Sequence, residues 1–280
     1  MILHMQKMRY SEPFMPFRTI NIDTYMNIKI TLMYHDVYHK DIKESGFQNI
    51  GAIPYKLRSV EFDNQISAIA KFCESGKINK NEVALTFDDG GESFHSIIAP
   101  ILEKHGFKGY FFITTGLIGT KGFLNEAQIV DLHNRGHIVG AHSHTHPKNI
   151  SVLTSSEIEN EWTKSVKILN QIISGKVKAA SIPGGFYSER SRIALKKNDI
   201  EYIFTSAPTN KINHNSDGQS IIGRFTIKKG TTNEAVIQLM NHNSVSQIYQ
   251  FAKWRGLALI RSALGNNYYR IREVLLKNAN

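Results

Sequence analysis

The chain has 280 residues, with 34 Lys and Arg against 24 Asp and Glu, a formal charge of +10 and 41% hydrophobic residues. That length can bury a large core as one α/β domain, and no run approaches the roughly twenty apolar residues of a membrane-spanning helix. The positive charge invites an acidic surface or polymer as partner; no nucleic-acid motif accompanies it, so nucleic acid is not expected.

The first twenty-five residues hold Met, Arg, Pro and Tyr without a strong apolar run, and no secretory signal is expected from them. Together with the single Cys73, which allows no internal disulfide, this fits a cytoplasmic setting, peripheral to a membrane if the tail described below makes that contact.

A strand is predicted over 30–34, ending in His35-Asp36. A helix follows over 62–72, with Phe62, Ile66, Ile69 and Phe72 at helical spacing. The apolar run 83–87 leads into Asp88-Asp89-Gly90. A helix over 93–105 stops before Gly106, a strand covers 109–113, and a helix over 124–135 stops before Gly136. A strand over 137–141 runs into His142-Ser143-His144-Thr145-His146-Pro147. Thr154 and Glu157 are spaced as a capping box and open a helix to about residue 173. Further strands are predicted over 177–182, 201–204 and 221–227. Strands alternating with helices imply a parallel sheet, and periodicity alone leaves a barrel and a doubly wound sheet both open.

The last thirty residues carry Lys253, Arg255, Arg261, Arg270, Arg272 and Lys277 against Glu273 alone. Apolar residues interleave with them, among them Trp254, Leu257, Ile260, Leu264, Tyr268, Ile271, Val274 and Leu275. This reads as one or two basic amphipathic helices, broken near Gly265-Asn266-Asn267. Either the segment packs on the domain with a solvated basic face, or it meets an anionic membrane surface or lipid-linked substrate. The expected division is a domain over 1–245 and a basic helical tail over 246–280.

The chemistry concentrates in two clusters. Asp-Asp-Gly alone suits a strand-end turn, and a histidine run alone suits a solvated loop. Both together, each after a strand-like run, favour a metal site at the carboxyl ends of parallel strands. Paired acids and imidazoles suit a divalent metal such as zinc, and two adjacent carboxylates allow one to bind metal while the other acts as a base. That pattern points to metal-assisted hydrolysis.

These motifs make the chain resemble the polysaccharide deacetylase family, carbohydrate esterase family four. The family's T-F-D-D-G stands intact at Thr86–Gly90 and its H-[ST]-x-x-H-P at His142–Pro147, while R-x-P-x-G survives only in part as Ser181-Ile182-Pro183-Gly184-Gly185. The resemblance covers roughly residues 83–226. It implies a distorted (β/α) barrel of about seven parallel strands followed by the basic helical tail. By position it implies Asp89, His142 and His146 as ligands of a divalent metal, zinc by default with cobalt or nickel serving the same ligands, and Asp88 as catalytic base. His144 is expected beside the site rather than on the metal.

Two departures follow from the same comparison. The third motif's Arg, which orients the catalytic Asp, is Ser181 here, leaving Arg224 and Lys178 as weak candidates. The late Leu-x-x-His motif that supplies the acid is missing, and His214 and His242 lack the apolar strand expected before it. The early Tyr34-His35 element is similar to that of the subgroup acting on poly-N-acetylglucosamine exopolysaccharides, whose barrel is circularly permuted, and it makes His35 the expected general acid. The implied activity is removal of N-acetyl groups from an N-acetylated saccharide in exopolysaccharide or cell-envelope synthesis. The alternatives are deformylation or another amide hydrolysis on the same fold, or a degenerate member that only binds sugar.

Overall fold

A computed structural model describes residues 27–242 and 244–264, with no account of the side chains of 261–264. The expectations for the first twenty-five residues, for the break at Gly265-Asn266-Asn267 and for the apolar and basic residues beyond it lie outside the described residues.

The strands are β1 (Ile30–Tyr34), β2 (Val37–Tyr38), β3 (Leu57–Arg58), β4 (Val83–Phe87), β5 (Gly109–Ile113), β6 (Ile138–Ala141), β7 (Ala179–Ser181), β8 (Tyr202–Phe204), β9 (Ile212–His214), β10 (Ser220–Ile222) and β11 (Phe225–Thr226). Nine of them form one sheet in the order β11-β1-β4-β5-β6-β7-β8-β10-β9, parallel throughout except for β9, which runs antiparallel to β10. The short β2 and β3 pair separately.

The run predicted as one strand over 221–227 is two strands on opposite flanks of the sheet. β10 pairs with β8, and β11 pairs with β1. Only Gly223 and Arg224 separate them, and three residue steps span about 10 Å at most. The sheet is therefore curled until its flanks nearly meet, and β10 and β11 together fill the seventh position of a (β/α) barrel. Gly223 permits the step, since a Cβ there would lie 2.5 Å from the Ala207 carbonyl oxygen and from the Thr209 side chain.

Strand periodicity divides the core in two. Val83, Leu85 and Phe87 face the surrounding helices, as do Ile30, Leu32 and Tyr34. Ala84, Tyr110, Phe112, Ile138, Ala179 and Phe204 fill the barrel interior. Strands buried on both faces read as continuous apolar runs, which is why β1, β4, β5 and β6 are legible in the sequence. The same alternation carries the next residue on the interior side, just past the end of each strand, to the barrel's mouth.

The helices are α1 (Ser59–Glu74), α2 (Ala99–Lys104), α3 (Glu126–Asn134), α4 (Ser155–Ile172), α5 (Glu189–Lys197), α6 (Asn233–Met240) and α7 (Val245–Leu264). The helix expected over 93–105 is a π-helical turn, Phe94–Ile98, running into α2. Thr154 caps α4 as the sequence indicates, with its hydroxyl accepting from Glu157 N at 3.3 Å and its backbone N donating to Glu157 Oε2 at 2.8 Å. α7 contains the start of the tail expected from residue 246. No helix among the described residues is long and apolar enough to cross a membrane.

Candidate metal centre

Asp88 and Asp89 follow β4, His142 follows β6, Ser181 ends β7, His35 follows β1 and Arg224 stands between β10 and β11. These strand ends meet at one mouth of the barrel. Asp88, Asp89, His142, Ser181 and Arg224 are all buried there, and His35 is half-buried.

Asp89 Oδ1 lies 3.4 Å from His142 Nε2 and 3.3 Å from His146 Nε2. One ligand atom from each of the three residues lies within 4.8 Å of the others, the one such cluster among the described residues. His142 Nδ1 is 2.9 Å from the Ser181 carbonyl oxygen. A carbonyl only accepts, so Nδ1 carries the proton and donates, leaving the Nε2 lone pair turned toward Asp89. One carboxylate and two imidazoles, with a position left over, fit a zinc-type divalent ion. Burial alone would raise the Asp89 pKa, but the imidazoles of His142 and His146 outweigh it and hold the carboxyl well below its usual range.

The backbone is bent to achieve this. Asp89, Ser143 and His146 have φ of 88°, 61° and 54°, left-handed values that L side chains rarely adopt. The left-handed Ser143 breaks the strand alternation after His142, so His144 leaves the metal-facing side and its Nδ1 sits 3.0 Å from Thr115 Oγ1. His144 therefore stands beside the cluster. The loop is fixed by Glu161 of α4, a residue the sequence reading did not single out. Its carboxylate accepts from His144 N at 3.0 Å, Thr145 N at 2.8 Å and Thr145 Oγ1 at 2.8 Å.

Asp88 is gripped from the seam of the barrel. Arg224 Nη1 donates to Asp88 Oδ1 at 2.7 Å and Nη2 to Oδ2 at 2.8 Å. Arg224 Nη2 also reaches Ser181 Oγ at 2.8 Å, and that hydroxyl donates to Asp88 Oδ2 at 3.0 Å. Arg224 Nε on the Thr205 carbonyl and Nη1 on Thr86 Oγ1 satisfy the rest of the fork. Burial would raise the Asp88 pKa, but Arg224 together with the His142 and His35 imidazoles outweighs it and holds the carboxyl below its ordinary range. Lys178, the other candidate for this task, is paired with Glu201 at 2.5 Å instead.

His35 closes the other side. Its ring lies 4.5 Å from that of Tyr55, and its buried Nδ1 has no hydrogen-bond partner among the described residues. Desolvation lowers its pKa, while the Asp89 and Asp88 carboxylates pull it back up. His214 and His242 are elsewhere, His214 on Ser220 Oγ at 2.9 Å and His242 on Asn210 Nδ2 at 3.4 Å.

The profile of the family described as polysaccharide deacetylase matches residues 75–203, which include both aspartates and both histidines of the cluster. A peptidoglycan-N-acetylglucosamine deacetylase of Bacillus cereus is 36% identical over 99 residues, 35% of this chain and 34% of that protein. A poly-beta-1,6-N-acetyl-D-glucosamine N-deacetylase of Staphylococcus epidermidis is 27% identical over 212 residues, 64% of this chain and 72% of that protein. The chain thus spans only about a third of the length of the first relative. Among solved structures, the Streptococcus pyogenes deacetylase PplD shares the fold with a TM-score of 0.58 at 21% identity, over 76% of this chain and 97% of that one. IcaB from Ammonifex degensii does so with a TM-score of 0.54 at 16% identity, over 76% of this chain and all of that one (100%). Matching motifs, a matching profile and a shared barrel agree: residues 75–203 carry a polysaccharide deacetylase domain of the carbohydrate esterase family four type.

Proposed function

We propose that the protein is a metal-dependent deacetylase that removes N-acetyl groups from N-acetylated sugars in exopolysaccharide or cell-envelope synthesis. The observation that carries this reading is the two-point Arg224–Asp88 pair set beside the Asp89, His142 and His146 cluster. Asp89, His142 and His146 would hold the ion, zinc by the chemistry of the donor set. When bound, the ion supplies Lewis acidity to the amide carbonyl and acidifies the attacking water.

The chain's own residues supply the rest. Asp88, ionised and aimed by Arg224 and Ser181, accepts the proton of the water as its oxygen adds to the carbonyl carbon. His35, on the side of β1, donates a proton to the amine nitrogen as the carbon–nitrogen bond breaks. Acetate and a free amino sugar leave. The names of the relatives in Bacillus cereus and Staphylococcus epidermidis support an N-acetylglucosamine polymer as substrate class. The altered third motif would favour a sugar-binding member without activity. Arg224 removes that motive, since it brings a guanidinium to the carboxylate from another strand.

The test is product analysis. Zinc-loaded protein and N-acetylglucosamine oligomers should release acetate with one new free amine per acetate. Release of formate from an N-formyl sugar, with acetate absent, would move the reading to deformylation. Metal-loaded protein that binds oligomers and releases neither would leave a binding module.

A further inference from the structure

The docked face of α7 carries Gln247 and Gln250 beside Trp254. Gln247 is buried, its Nε2 donating to the Leu239 carbonyl at 2.7 Å and its Oε1 accepting from Asn210 Nδ2 at 3.2 Å. Gln250 pairs both ends of its amide with the backbone of Thr226, Oε1 accepting from N and Nε2 donating to O, each at 3.0 Å. It occupies the free side of β11 as a neighbouring strand would.

The outer face is apolar. Val245, Ile248, Tyr249, Leu259 and Ile260 are 80, 60, 63, 70 and 48% exposed. With Ala252 and Gly256 they follow the i, i+3, i+4, i+7, i+11, i+14, i+15 spacing of one stripe about 120° wide at 3.6 residues per turn. Lys253 lies along one margin of that stripe and Arg255 along the other. The helix contains no Asp or Glu among its twenty residues. Lys253 Nζ stands over the Tyr249 ring at 5.7 Å.

We infer that α7 lies in the interface of an anionic lipid bilayer, with its stripe sunk among the acyl chains and Lys253 and Arg255 reaching outward to acidic headgroups. A helix with an exposed apolar stripe, basic residues at its margins and no acid, yet not apolar enough to span, is the form such interfacial helices take. Charge decides between this surface and a second copy of the chain. Two identical stripes brought together would set the basic margins of both copies side by side with no acid on α7 to answer them, whereas a bilayer carrying phosphatidylglycerol supplies the missing anions. The reading rests on α7 alone and stands apart from the deacetylase chemistry at the barrel mouth.

The full chain should sediment with vesicles of phosphatidylcholine containing about one-third phosphatidylglycerol, and far less with phosphatidylcholine alone. Binding should weaken as salt rises from about 0.05 to about 0.5 M. The double substitution Ile248→Glu with Leu259→Glu, and separately Lys253→Glu with Arg255→Glu, should each cut binding about tenfold or more. Both act on exposed positions, so the melting temperature and metal content should stay unchanged. No sedimentation at low salt, or sedimentation indifferent to both double substitutions, overturns the inference. So does a concentration-dependent dimer in light scattering that Ile248→Glu with Leu259→Glu dissolves, which would assign the stripe to a second copy.

Discussion

Arg224 and Asp88, 136 residues apart, face each other as a two-point ion pair with contacts of 2.7 and 2.8 Å in the buried mouth of the barrel. Removing the guanidinium strands a buried carboxylate, which costs roughly 3–5 kcal/mol. Arg224→Met should therefore lower the unfolding free energy by that order and reduce kcat while metal content holds. The pH dependence has a definite sign. Arg224, with the His142 and His35 imidazoles, holds the Asp88 pKa below its ordinary value against the effect of burial. Without it the carboxylate takes up its proton at higher pH, and the acid limb of the rate profile moves to higher pH. An unmoved acid limb in a folded, metal-loaded Arg224→Met protein would show that Asp88 is not the group titrating in the profile.

Metal content should distinguish two histidines two residues apart. His142→Ala removes an imidazole whose Nε2 faces Asp89 and should bring bound zinc, measured by elemental analysis, close to background. His144→Ala removes only a partner of Thr115 and should leave metal near the level of the unmodified protein. Equal metal in the two variants would undo the ligand assignment.

The two groups proposed to move protons should respond differently to the leaving group. Asp88→Asn, which cannot accept a proton, should cost on the order of a hundredfold or more on every substrate. His35→Ala should cost as much on N-acetylglucosamine oligomers but far less on an activated acetyl ester, whose phenolate needs no proton to depart. Comparing kcat on both substrates, with metal content checked, tests this. A His35→Ala deficit of the same size on both denies the histidine its acid role.

Glu161 should act through the loop it holds. Glu161→Ala frees the backbone amides of His144 and Thr145, and loss of such a supporting contact typically weakens metal affinity about 10- to 100-fold. Competition with a fluorescent zinc chelator measures that change. Glu161→Gln keeps an acceptor oxygen and should recover part of the affinity.

Asp36 sets a pH dependence of stability. Its carboxyl is buried, takes hydrogen bonds from Ser45 Oγ at 2.6 Å and Ser93 Oγ at 2.7 Å, and has its pKa pushed up to about 6 by desolvation. A carboxyl raised in the folded state favours folding while protonated, so this contribution falls as pH climbs from about 4 through about 6. Asp36→Asn, which cannot ionise, should gain stability relative to the unmodified chain between about pH 5 and pH 8 in denaturant titrations. A relative loss over that range would mean that nearby Lys56 stabilises the charged form.

The sequence carried the site's nearest parts and little of what holds them. β4 and β6 are unbroken apolar runs, so the Asp and His pairs that follow them announce strand ends. The partner of Asp88 was faint because Arg224 lies within the run 221–227 and reads as part of one strand. Its signal was physical: an arginine inside a run buried on both faces must have an acid to meet. Glu161 gave a similar sign, an acid between Ile158 and Trp162 on the buried face of α4. The tail was legible as a helix but not in its orientation. Trp254 and Ile260 point about 120° apart, and Trp254 lies on the docked side while Ile260 faces out.

The step at Gly223 and Arg224 ties completeness of folding to competence. Arg224 reaches Asp88, the proposed base, with β10 paired to β8 and β11 to β1, contacts on opposite flanks of the sheet. If the proposed chemistry holds, a molecule whose ring has not closed would keep its metal ligands yet lack the guanidinium that helps keep Asp88 ionised.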